Sequence, residues 1–73
     1  MLPDYIEGMR VLGCARSDAR SVVLCEGRPG EAAYYVVVTL NVDDGDRDAA
    51  YHAAAATAHA DFAARRAMYG IPA

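Results

Sequence analysis

Apolar and polar positions alternate along three stretches of the chain, and an alanine-rich run follows them. Met9 to Arg16 and Ser21 to Glu26 read as strands, joined by the turn-forming Ser17-Asp18-Ala19-Arg20. Gly27-Arg28-Pro29-Gly30 is the clearest turn, because Pro presets one backbone angle and Gly permits positive φ. Ala33 to Val42 is the strongest strand, dense in β-branched and aromatic side chains. Short connections predict an antiparallel meander of these three strands. Arg47 to about Tyr69 then predicts one long helix, since alanine is the best helix former. Asp46 is its expected N-cap, Arg65 and Arg66 suit its negative end, and Gly70 with Pro72 closes it. Leu2 to Gly8 fits a short helical turn, with an extended arm as the alternative. The expected fold class is therefore α+β: a single domain over residues 1–73, with the helix across one face of a three-stranded sheet.

Both kinds of element have two faces that need explaining. In the third strand, Tyr34, Val36, Val38, Leu40 and Val42 form one face, expected to meet the helix. Ala33, Tyr35, Val37, Thr39 and Asn41 form the other. That second face has no predicted cover, so Tyr35 and Val37 are candidate partner-binding residues. On the helix, Tyr51, Ala55, Ala58, Phe62 and Tyr69 make the core stripe. Ala49, Ala53, Ala56, Ala60, Ala64 and Ala67 lie opposite, where most surface helices carry charge. Such small side chains let helices approach closely, which makes this stripe a candidate dimer interface. An exposed alanine face drawn from a GC-rich codon bias is the plainer reading.

Size and charge narrow the functions. A domain of 73 residues buries little core, and small scaffolds often need a staple or a second copy. Ten acids against seven arginines, with no lysine, give a net charge of −3. This balance disfavours direct nucleic-acid binding, which needs clustered positive charge. No apolar stretch reaches the ~20 residues of a membrane span, and no leader is apparent before Gly8. A cytoplasmic protein with free Cys14 and Cys25 is expected, both thiols acting as small buried hydrophobes opposite each other in adjacent strands.

Catalytic and metal chemistry find little support. His52 and His59 are seven residues apart, about 10.5 Å along a helix, too far to share one metal ion. Gly27 to Gly30 lacks the lysine and glycine spacing of a phosphate loop. Asp43, Asp44, Asp46 and Asp48 lack the glutamate that would complete a calcium loop. No cofactor and no metal are expected. Those four carboxylates lie within six residues, and their field attracts basic surfaces. They are the first candidate partner-binding group; a polar turn with a helix cap is the plainer reading.

The order of a short N-terminal turn, three strands and a helix resembles a double-stranded RNA-binding domain. That family presents a basic helix start to phosphates; Asp43-Asp44-Gly45-Asp46-Arg47-Asp48 stands here instead, so the family's activity is not carried over. In size and acidity the chain resembles small phage-encoded inhibitors of the anti-CRISPR kind. That resemblance implies a non-enzymatic protein that occupies a nucleic-acid-binding surface of its target. The sequence thus predicts an interaction protein, dimeric through its helix or open sheet face, that meets a basic macromolecular partner. The alternative is a small homo-oligomeric structural or accessory subunit. A third reading, an enzyme with its site at a dimer seam, requires His52, His59, tyrosines or cysteines to converge.

Overall fold

Valine-rich segments bounded by turn residues become strands here because each has a neighbour to pair with. The computed structural model describes residues 5–6, 8–27, 34–41, 43 and 45–71. Six elements follow in order: β1 (Tyr5–Ile6), β2 (Met9–Arg16), β3 (Arg20–Glu26), β4 (Tyr35–Asn41), β5 (Arg47–His52) and α1 (Ala55–Met68). The strands form one antiparallel sheet in the order β1-β2-β3-β4-β5, with α1 against β3, β4 and β5. The α+β class and the central meander are as the sequence predicts. The sheet is wider than predicted, by β5 and by the two-residue β1 at the far edge.

Of the segment from Leu2 to Gly8, the described residues Tyr5–Ile6 take the extended alternative. Tyr5–Ile6 pairs with Met9–Arg10, and Gly8 turns the chain at φ 82°, so no helical turn forms at these residues. Arg47–His52 is a strand, and the helix starts only at Ala55. Alanine's preference for helix is a few tenths of a kcal/mol per residue. Here a ladder against β4 outweighs it, from Leu40↔Arg47 to Tyr35↔His52 without a break. Asp46 consequently sits in a hairpin and not at a helix start; Ala54 is the N-cap residue and makes no side-chain cap hydrogen bond. The helix also covers the opposite sheet face from the one expected. Val37, Leu24, Val22 and Ala15 pack with Ala58 and Ile71, and Tyr35, Phe62 and Tyr69 border them. The other face gathers Met9, Val23, Cys25, Val36 and Val38, bordered by Val11, Cys14, Tyr34 and Leu40. Tyr35 and Val37 therefore belong to the covered face; Val37 is fully buried and is no partner surface.

Other expectations hold in place. Ser17 closes the β2–β3 turn: its backbone N–H donates to the Arg20 carbonyl (2.8 Å), and its hydroxyl oxygen accepts from the Arg20 N–H (3.1 Å). Ala58 and Phe62 of α1 and Tyr69 at its C-cap pack on the core, with Ala55 half-buried, whereas Tyr51, assigned to the same stripe, is on β5 and exposed. The helix ends in a Schellman motif: Ile71 N–H reaches Arg66 O, Gly70 N–H reaches Ala67 O, and Gly70 takes φ 66°. That turn delivers Ile71 into the core. The turn expected at Gly27-Arg28-Pro29-Gly30 lies, beyond Gly27, outside the described residues, as do Ala33, Val42 and Asp44.

Candidate interaction surface

The β4–β5 hairpin places the acidic residues at one end of the sheet. Asn41 N–H donates to Asp46 O (2.8 Å), and Gly45 N–H donates to Asn41 O (2.9 Å). Gly45 adopts φ 72°, a conformation glycine takes without strain. The Asn41 side-chain oxygen accepts from Asp43 N–H at 3.3 Å. Asp43, Asp46 and Asp48 are all exposed, so three of the four acids named from the sequence share this corner. The fourth, Asp44, lies outside the described residues. Arg47 is exposed beside them and tempers the field.

Behind this corner is a polar network that ties the sheet to the helix. Arg65 reaches down from α1, with only 12% of its side chain exposed. Its guanidinium donates to Thr39 Oγ1 (2.8 Å), to Asp61 Oδ1 (3.0 Å) and to the Asp48 carbonyl (3.1 Å). The Asp48 carboxylate lies 3.8 Å from it and is 78% exposed. Asp61 also holds His52 Nε2 at 2.8 Å through its second oxygen. Burial alone would raise the Asp61 carboxyl, but the His52 and Arg65 hydrogen bonds and charges outweigh it and hold it below the ordinary carboxylate range. Thr39 is buried and finds its partner in Arg65, so the network is satisfied.

The sequence predicts the histidines as a solvated pair along one helix. Instead His52 is on β5 and joins this network, while His59 is exposed on α1. The Asp48–His52 spacing of four carries no helical meaning in a strand. The Asp61–Arg65 pair is an i,i+4 match that the sequence already offers; its union with His52 and Thr39 depends on β5 being a strand.

The cysteines lie in adjacent strands on the helix-free face, but they are not opposite each other. Cys14 faces Val23 and Cys25 faces Val11, because the hairpin closes at Arg16↔Ser21 and not at Asp18; the extra residue Leu12, a bulge in β2, keeps Val11 and Cys14 on one face. Both are free thiols. Burial pushes the Cys14 thiol up, and Arg16 offsets only part of that.

The six alanines expected on one face are divided. Ala49 is on β5 and Ala53 in the turn after it, while Ala56, Ala60, Ala64 and Ala67 are exposed on α1. Among the described residues, no three His, Cys, Asp or Glu side chains converge as a metal site would require. No described helix is long and apolar enough to cross a membrane. Comparison of the chain with protein-family models, curated proteins and solved structures finds no match.

Proposed function

We propose that this is a non-enzymatic interaction protein whose acidic β4–β5 corner engages a basic surface on a macromolecular partner. The observation that carries the reading is the exposure of Asp43, Asp46 and Asp48 together at a hairpin end that backbone bonds hold in shape. Exposed like charges on a fixed frame speed encounter with an opposite surface and give it orientation. The narrower form of the proposal is an inhibitor of the anti-CRISPR kind, with a nucleic-acid-binding complex as the partner. It binds no nucleic acid itself. Support for a non-catalytic role comes from the side chains most able to react. Cys25 is buried, the Cys14 thiol is pushed toward its protonated form, and His52 is engaged by Asp61. Two free thiols fit the reducing cytoplasm, where we place the protein.

Association with such a partner weakens as salt rises, because exposed charges are screened. The test is the triple change Asp43→Asn, Asp44→Asn, Asp46→Asn, read by binding to a panel of basic, nucleic-acid-binding complexes. Loss of binding with unchanged folding is expected; unaltered affinity would refute the acidic corner. The second reading, a homo-oligomeric structural or accessory subunit, is favoured by two exposed apolar side chains, Tyr51 and Met68.

A further inference from the structure

The two borders of the sheet differ: on one side β1 pairs only with Met9–Arg10 and leaves the rest of β2 without a strand beside it, and on the other side β5 is the edge. On β2 the bulge at Leu12 interrupts the strand, a device that discourages pairing with another chain. On β5 the register runs evenly, and Arg47–His52 contains neither proline nor glycine. Because Asn41 N–H bonds Asp46 O, alternate residues Asp48, Ala50 and His52 turn their backbone polar groups toward β4. Arg47, Ala49 and Tyr51 therefore turn theirs outward. Side chains alternate as well: Asp48, Ala50 and His52 share the helix side with their partners Thr39, Val37 and Tyr35, leaving Arg47, Ala49 and Tyr51 on the other side.

The same edge is flanked by apolar surface above and below. Asp61 marks the flank of α1 that faces β5, and Thr57, Ala64 and Met68 lie on that flank at spacings of three and four. Met68 is 72% exposed on the helix side, and Tyr51, also 72% exposed, stands on the opposite side of the sheet. Two large apolar side chains left in water thus bracket one edge strand.

We propose that β5 pairs antiparallel with β5 of a second copy about a two-fold axis at Ala50, joining two sheets into one. In this register Ala49 and Tyr51 exchange backbone hydrogen bonds with Tyr51 and Ala49 of the second copy. Asp48 stands opposite the second copy's His52, twice by symmetry, so acid meets imidazole across the seam. Centring on Ala49 instead leaves Asp48 opposite an alanine, and centring on Asp48 opposes two carboxylates. The charge pattern of the strand selects Ala50. The paired strands bring the Thr57–Ala64–Met68 flanks of the two helices toward each other, where Ala64 permits approach and Met68 gains an apolar contact. The inference shares only Asp48 with the acidic-corner reading, and the triple change at Asp43, Asp44 and Asp46 leaves the strand edge intact, so the two readings fail separately.

Sedimentation equilibrium from micromolar to millimolar concentration tests it. The wild type is expected at twice the protomer mass. Ala49→Pro removes an outward N–H that serves no bond to β4, so the fold persists while the dimer weakens by about 30-fold from two lost hydrogen bonds. In the register proposed, Ala50→Cys forms an intermolecular disulfide on oxidation, because non-hydrogen-bonded partners bring their Cα atoms within disulfide reach. Ala49→Cys, facing Tyr51, does not exceed the wild-type background. A wild type that stays at protomer mass throughout, or a folded Ala49→Pro protein that still dimerises as tightly, would overturn the pairing. Cross-linking by Ala49→Cys in place of Ala50→Cys would overturn the register.

Discussion

The two faces of the sheet are both apolar, yet they are held in different ways. The covered face packs Leu24, Val22 and Val37 against Ala58 and Ile71 of the helical segment, and fastens that layer with Arg65, Asp61, His52 and Thr39. Two cation–π contacts add to it, Arg20 over Tyr69 at 4.6 Å and Arg66 over Phe62 at 5.6 Å. The opposite face has Val23, Cys25, Val36 and Val38, with Tyr34 and Tyr51 rings 6.3 Å apart at its side. The first side combines packing with directional bonds to a helix; among the described residues the second is an apolar cluster of strand side chains.

This contrast can be broken by mutation. Leu24→Ala, which empties a buried site under the helix, is expected to cost about 2–5 kcal/mol in urea unfolding. Val36→Ala, on the other face, removes less volume and should cost clearly less; equal losses would mean the helix adds little to its side. Next in size is Arg65→Lys, with an expected loss of about 1–3 kcal/mol. A lysine cannot serve Thr39, Asp61 and the Asp48 carbonyl in one planar fork.

Acid sharpens the same comparison. The Asp61 carboxyl is held below its unfolded value, so its contribution is full above the ordinary carboxylate range and vanishes as pH falls through the folded value. Urea midpoints should decline over that acid window, and Asp61→Asn should flatten that part of the decline. Ala54→Ser supplies the missing helix cap on an already extended residue, and should raise stability by about 1 kcal/mol. The smallest effect belongs to the helix-free face. In the native protein at neutral pH, Cys14 should alkylate more slowly than an unfolded thiol, and Cys25 should not react until the chain unfolds.

What is legible in the sequence follows from how local each signal is. The turn at Ser17 to Arg20, the strand carrying Tyr35 to Asn41 and the Gly70 helix stop depend on neighbours in the chain. Arg47–His52 misleads because alanine preference speaks for helix while the unpaired side of β4 speaks for a strand. A signal for the strand is present: Asp44-Gly45, two residues well suited to a hairpin, directly after a strong strand. The choice of covered face goes astray because the helix takes the less apolar side of β4, where Arg65 of α1 satisfies the Thr39 hydroxyl, a pairing that depends on the helix being placed first. The meeting of His52 with Asp61 is not local at all, because it requires strand and helix to be placed first. The exposed alanines of α1 are legible, but the free edge beside them is hidden as long as Arg47–His52 reads as helix.

The bifacial character of β3 and β4 has a consequence for how the molecule comes apart. Their successive residues enter the two clusters by turns, Val22 and Leu24 on one side, Val23 and Cys25 on the other. Neither half can melt and leave its neighbour intact, because the same backbone serves both. Heating or denaturant should therefore produce a single cooperative transition, and the amides linking β3 to β4 should exchange with deuterium only when the entire domain opens.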